Sequence, residues 1–308
     1  MTGYDTGNRT LDAALRYAQV GWPVLPLHTP NENTACDCGR WASGGCSSPG
    51  KHPRVREGLK EASTDERQLR KWWSMWPQAN VGIRTGCGEG PWGPLAVIDI
   101  DAGHGGYDSL ARLLVDMDIN ARTVTAKTGS GGMHLLYNAG TFEVHNSAGL
   151  LGPGLDVRGL GGYIVAPPSL HASGKHYRWE PGFNPWTVKL EPFPEPLWAL
   201  LAARRPSLPT KGDWSSGPQV IRQGQRNVML ASLAGTMRRR GMEQEEILAA
   251  LQTVNSRRCD PPLDDKDIER IAWSVSRYSP EEADCPVTPG GVAISAEGGA
   301  MSEVAHGR

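Results

Sequence analysis

The chain has 308 residues, 39% of them hydrophobic, and a formal net charge of −1, enough for two domains with a buried core. Its 32 basic and 33 acidic residues exclude a nucleic-acid binder recognisable by overall charge, although the acidic stretch 281–308 leaves residues 1–280 at +3. No apolar run reaches the roughly 20 residues of a membrane span and no secretion signal opens the chain, so the expected compartment is the cytoplasm and the six cysteines read as thiols or metal ligands.

Leu11–Val20 carries apolar residues at Leu11, Ala14, Leu15 and Ala18, a helical period. Trp22–Leu27 reads as a short strand. Residues 31–53, rich in Gly, Ser and Cys, form a long loop, and loops of that length are usually functional or stapled. Thr64 or Asp65 can cap a helix running to about Trp76, with Trp72, Trp73 and Trp76 as a core stripe. Strands follow at Asn80–Arg84 and Leu95–Asp101, then a helix from about Tyr107 to Val115. Thr123–Lys127 and Met133–Tyr137 flank TGSGG as a hairpin, and Leu155–Arg158 and Tyr163–Ala166 flank GLGG in the same way. His176–Trp179 is one more short strand. The pattern is α+β with antiparallel hairpins.

A Pro-, Ser- and Gly-rich linker is expected at 204–216. Beyond it, Asn227–Arg240, Met242–Val254 and Asp264–Tyr278 read as three helices, the last with Ile268, Ile271, Ala272 and Val275 on one face. Residues 281–308 are acidic, Gly-rich and without periodicity, so disorder is expected there.

Two constellations carry chemistry. In Val97-Ile98-Asp99-Ile100-Asp101, strand alternation puts both acids on one face. Unpaired carboxylates are costly to bury, and hard cations such as Mg²⁺ or Mn²⁺ prefer their oxygens. The alternative is two exposed acids at a strand end. Asp156, in GLDVRGLGG, adds a third acid. His134 follows the turn Ser130-Gly131-Gly132-Met133, whose glycines would let backbone N–H groups approach an anion. Three acids and a histidine after Gly turns fit metal-assisted phosphoryl transfer.

The second constellation is Cys36, Cys38, Cys46 and His52 in the long loop, a Cys3His set suited to structural zinc. The alternative is free thiols on a mobile loop. Gly45–Lys51 matches GxxxxGK, but His52 stands where a phosphate loop needs Ser or Thr, so that reading is rejected. Lys51 and Arg54 stay candidates for phosphate or template contacts.

The series IDID, TGSGGMHLLY and GLDVRGLGGYIVAPPS resembles the bifunctional primase–polymerase family of the archaeo-eukaryotic primase superfamily, over about Leu11–Glu180. The resemblance implies a catalytic domain over 1–203: a core like an RNA-recognition-motif sheet beside a second α/β unit. It implies that Asp99, Asp101 and Asp156 hold divalent metals. The turn Ser130, Gly131, Gly132 with His134 would meet the nucleotide triphosphate, helped by Arg84, Arg158 or Lys51. Gly224-Gln225-Arg226-Asn227, Arg238-Arg239-Arg240-Gly241, Asn255 and Pro261-Pro262-Leu263 resemble the helical domain that follows such cores, here 217–280. Arg226, Arg238, Arg239 and Arg240 would then face template phosphates. The expected activity is primer synthesis and extension on single-stranded DNA from NTPs or dNTPs by two-metal nucleotidyl transfer. The expected setting is replication of a phage, plasmid or similar element. Lacking Walker motifs, the chain would rely on a separate helicase. The alternative is a non-catalytic nucleic-acid-binding protein that retains the fold.

Overall fold

The structure, a computed structural model, describes residues 4–31, 35–39, 46, 48–88, 92–117, 119, 121–204, 220–222 and 226–276. The expected disordered stretch 281–308, and the expected linker apart from Arg204, lie outside the described residues.

Helix α1 (Arg9–Gln19) starts two residues before its apolar period. The Asn8 side chain accepts from the Thr10 and Leu11 N–H groups and so caps it. Helix α2 (Glu66–Met75) is capped in the same way by Asp65. Both pack on a small antiparallel sheet in the order β1 (Val24–Leu27), β2 (Asn80–Arg84), β8 (Tyr163–Ala166). Trp72 and Trp73 are buried in that core, as their stripe predicts.

The larger sheet runs β6 (Ser147–Ala148), β7 (Leu155–Arg158), β3 (Leu95–Ile100), β5 (Met133–Asn138), β4 (Val124–Lys127), β9 (Arg178–Trp179). A two-residue strand β10 (Glu191–Pro192) runs parallel to β5. Alternation assigns the faces of β3. Ala96, Ile98 and Ile100 pack with helices α3 (Gly106–Met117) and α4 (Glu195–Arg204). Leu95 and Val97 face the other way, into the core shared with α1, α2 and the small sheet. Asp99 continues that second face.

The TGSGG hairpin forms as expected, with Lys127 opposite Met133. The GLGG hairpin does not. β7 pairs with β3 and β6, whereas β8 pairs with β2, so GLGG carries the chain from the large sheet to the small one. The reason lies in its backbone partners. Gly159 N–H donates to Asn146 Oδ1, and the Gly159 and Gly162 carbonyls accept from the Thr85 hydroxyl and N–H.

The C-terminal part holds α5 (Arg226–Arg239), α6 (Gln244–Arg258) and α7 (Asp265–Ser276). A short strand β11 (Ile221–Arg222) before α5 pairs in parallel with β12 (Cys259–Asp260) between α6 and α7. Its core of Ile221, Leu230, Ala234, Ile247, Leu251, Cys259, Ile268 and Ala272 is separate from the other clusters. Among the described cysteines, Cys36, Cys38, Cys46 and Cys259 are free thiols. Among the described residues no helix is long and apolar enough to cross a membrane.

Candidate active site

Strand register builds the site. Asp99 lies opposite Asp156 on β7 and opposite His134 on β5. Residues directly opposite in a sheet share a face, so carboxylate, carboxylate and imidazole form a row across three adjacent strands. The row sits where the apolar face of β3 ends, and a cleft of about 820 Å³ opens over it. Asp101 lies one residue beyond β3 and lines the same cleft. Its carboxylate accepts from Gly103 N–H at 2.9 Å and stands 2.7 Å from His104 Nδ1.

Arg158 and His134 hold the acids in place. Arg158, two residues after Asp156, sets one guanidinium nitrogen 2.9 Å from Asp156 Oδ2 and 3.6 Å from Asp99 Oδ2. His134 Nε2 is 3.4 Å from Asp99 Oδ1. Burial pushes the Asp99 carboxyl up, but His134, Arg158 and Lys51 outweigh it and hold the group below its usual range. For Asp156 burial prevails over Arg158 and the Gly149 N–H and raises it, with Asp99 and Asp101 pushing the same way. Asp101 is held low, chiefly by His104. His134 is almost fully buried, and its Nδ1 has no hydrogen-bond partner among the described residues.

The turn before His134 differs from the expected anion nest. Gly131 N–H donates to the Thr128 carbonyl at 3.2 Å and Gly132 N–H to Thr128 Oγ1 at 3.0 Å. Those two donors are consumed inside the turn. The hydroxyls of Thr128 and Ser130, 2.9 Å apart, line the cleft instead.

Lys51 lines the cleft too, and its carbonyl accepts from the Tyr163 hydroxyl at 2.8 Å. Arg84 is not among the cleft-lining side chains; its guanidinium donates to the Leu59 carbonyl at 3.4 Å. Sequence reasoning missed Thr128, Tyr163 and Tyr177. Tyr177 is buried in the cleft wall with its ring 5.9 Å from that of His134. The period-2 alternation that marks a strand could have singled out Tyr163, but nothing in the sequence marks Tyr177.

The Cys3His set converges. The ligand atoms of Cys36, Cys38, Cys46 and His52 all lie within 4.8 Å of one another. The Cys36 and Cys46 sulfurs are each 3.3 Å from His52 Nε2. Burial pushes the Cys36 thiol up to about 11, so a bound cation is what would favour its thiolate. Three thiols and an imidazole at this spacing fit a tetrahedral soft-ligand site. Beside them Asp37 is paired with His28 at 2.7 Å and with Arg54, which pins the loop to the end of β1. Arg54 thereby serves the loop.

In the helical module, Arg226 donates to the carbonyls of Pro261 and Pro262. Asn255 brackets Leu263, donating to its carbonyl at 2.9 Å and accepting from its N–H at 2.8 Å. Arg238 donates to the Met242 carbonyl and pairs with Glu243 at 2.9 Å. The structure thus uses Arg226 and Arg238 as internal clasps. Arg240 is exposed, and the Arg239 side chain lies outside the described residues.

A row of carboxylates with an imidazole, facing a cleft, has donor groups suited to metal-dependent phosphoryl- or nucleotidyl-transfer chemistry. The family model for the N-terminal domain of bifunctional DNA primase/polymerases matches residues 14–198, more than half of the chain. The model for primase C terminal 1 matches residues 218–281. The chain belongs to the bifunctional DNA primase/polymerase family, whose members are in general metal-dependent nucleotidyltransferases acting on DNA and nucleotides. No curated protein matches it.

Proposed function

We propose that this chain is a DNA-dependent primase–polymerase that makes primers on single-stranded DNA and extends them. The observation that carries the proposal is the Asp156–Asp99–His134 row, with Asp101 two residues beyond Asp99, in one cleft.

The donor chemistry fits Mg²⁺ or Mn²⁺. The three acids supply six oxygens, and a carboxylate oxygen keeps acceptor capacity after one hydrogen bond. They are more open than the Cys3His cluster, because their oxygens do not all lie within 4.8 Å of one another. Asp99, Asp101 and Asp156 would hold the divalent cations, which when bound supply Lewis-acid activation of a 3′-hydroxyl and neutralise the triphosphate. His134 presents its imidazole to the phosphates, and Lys51 and Arg158 add positive charge from two other sides of the cleft. Of the Thr128 and Ser130 hydroxyls, which hydrogen-bond to each other, one keeps its O–H to donate where the glycine N–H groups do not. Zinc in the Cys3His set would be structural, since four protein ligands leave no open position. The helical module, residues 217–280, would serve priming, with Arg240 free to meet template phosphate. A replicative helicase is a partner in this reading, and the setting is replication of a phage, plasmid or similar element.

The test is synthesis on single-stranded DNA with labelled nucleotides and Mg²⁺ or Mn²⁺, comparing the natural protein with Asp101→Ala. Labelled products from the natural protein, none from Asp101→Ala, and equal template binding by both are expected. Template binding without synthesis by either would leave a nucleic-acid-binding protein with a primase fold.

A further inference from the structure

We propose that Arg158 is a built-in competitor for the divalent cation, holding Asp99 and Asp156 together until a metal displaces its guanidinium toward the nucleotide phosphates. The inference rests on the carboxylate site proposed above and concerns this chain's own side chain.

Every oxygen of the three acids already has a partner. Asp99 uses His134 and Arg158. Asp156 uses Gly149 N–H at 3.1 Å and Arg158. Asp101 uses Gly103 N–H and His104. Two of these partners are histidines, whose charge depends on protonation, and two are neutral amides. Arg158 alone among them is always charged, and it alone touches two of the acids. Its position follows from the fold. Asp156 and Arg158 are i and i+2 on β7, hence on one face, and Asp156 is directly opposite Asp99. A guanidinium nitrogen is thereby placed between two facing carboxylates, in the space where a cation bridging them would sit.

Two consequences follow. Without metal, Arg158 screens the repulsion between adjacent strands' carboxylates. With metal, a guanidinium and a dication cannot share that space without strong repulsion, so Arg158 must swing away. It is about one-third exposed and lines the cleft, so the side chain can rotate into the volume above the row. There it would meet a polyphosphate, for which the planar fork is suited. Metal entry and nucleotide binding would then be coupled through one side chain.

The test is Mn²⁺ titration of the full chain without nucleotide, read from the electron paramagnetic resonance signal of free Mn²⁺. Arg158→Gln should bind Mn²⁺ about tenfold more tightly, because a competing charge is gone, and Arg158→Lys should fall between it and the natural protein. In EDTA the melting temperature of Arg158→Gln should lie below that of the natural protein, and Mn²⁺ should raise it by more. Equal or weaker Mn²⁺ binding by folded Arg158→Gln would overturn the inference. If that variant does not fold in EDTA or in Mn²⁺, Arg158→Lys decides, and binding no tighter than the natural protein's overturns it. The carboxylate site itself is checked by Asp99→Asn/Asp156→Asn: if this variant binds Mn²⁺ as the natural protein does, the site, not the competition, is wrong.

Discussion

At residue 132 the choice of side chain is set by a carbonyl on the neighbouring strand. A Cβ at Gly132 would lie 2.1 Å from the Ile100 oxygen, next to the β3 end that carries Asp99 and Asp101. That contact is with backbone, so relief requires β3 and β5 to separate at the point where the acids and His134 are aligned. Gly132→Ala is therefore expected to cost about 1–3 kcal/mol, as overpacking does. It should also weaken nucleotide binding more than substitution of the exposed Gly131, where a Cβ would meet nothing within 4 Å and the cost comes from the positive φ of 93° alone. Thermal melts of both variants beside a nucleotide titration check this. A Gly132→Ala protein that melts and binds like the natural one would mean that the strand ends are free to adjust.

Elements differ in how far their own sequence determines them. The β4–β5 hairpin is legible because its turn is closed by local bonds within 128–132. GLGG has the same appearance, yet its backbone is claimed by Thr85 and Asn146, 74 and 13 residues away from Gly159. Long-range partners leave no periodic trace in a short window. Helix α4 was unread for another reason. EPLWALLAAR is apolar over most of its circumference, so no stripe marks it as a helix. The acids, His134 and the Cys3His ligands were legible because each lies in a compact pattern. Thr128 and Tyr177 come to line one cleft only when β4, β5 and the segment before β9 assemble. Two elements yield predictions. Asn255 is 5% exposed and satisfies both backbone groups of Leu263. Asn255→Ala strands these groups and should lower helical-module stability by about 2 kcal/mol, seen as an earlier unfolding of α5–α7 in hydrogen exchange. In the long loop, Cys46→Ser removes one thiolate from a four-ligand set. It should lower metal content by most of one equivalent per chain in elemental analysis, and unchanged content would discard the site.

For the whole molecule, the arrangement of hydrophobic clusters decides what can be removed. The cores built on the two sheets draw on residues from Ala14 to Leu201, and the helical core on Ile221 to Ala272, with no residue in common. Ending the chain after Arg204 leaves both sheet cores and every cleft residue intact. Such a protein should fold, bind nucleotide and extend a supplied primer at close to the full-length rate. Starting a primer is a harder task, because template and the first nucleotides must be held together with no duplex to anchor them. A second tethered binding module raises their effective concentration, and avidity gains of about 10²–10⁴ are typical when both modules engage. Loss of the helical module should therefore reduce priming by at least about tenfold while sparing extension. Comparing product yield on bare single strands with yield on a pre-annealed primer separates the two. A parallel fall in both would assign the helical module to general template binding or to stability, and equal retention of both would leave it no part in initiation.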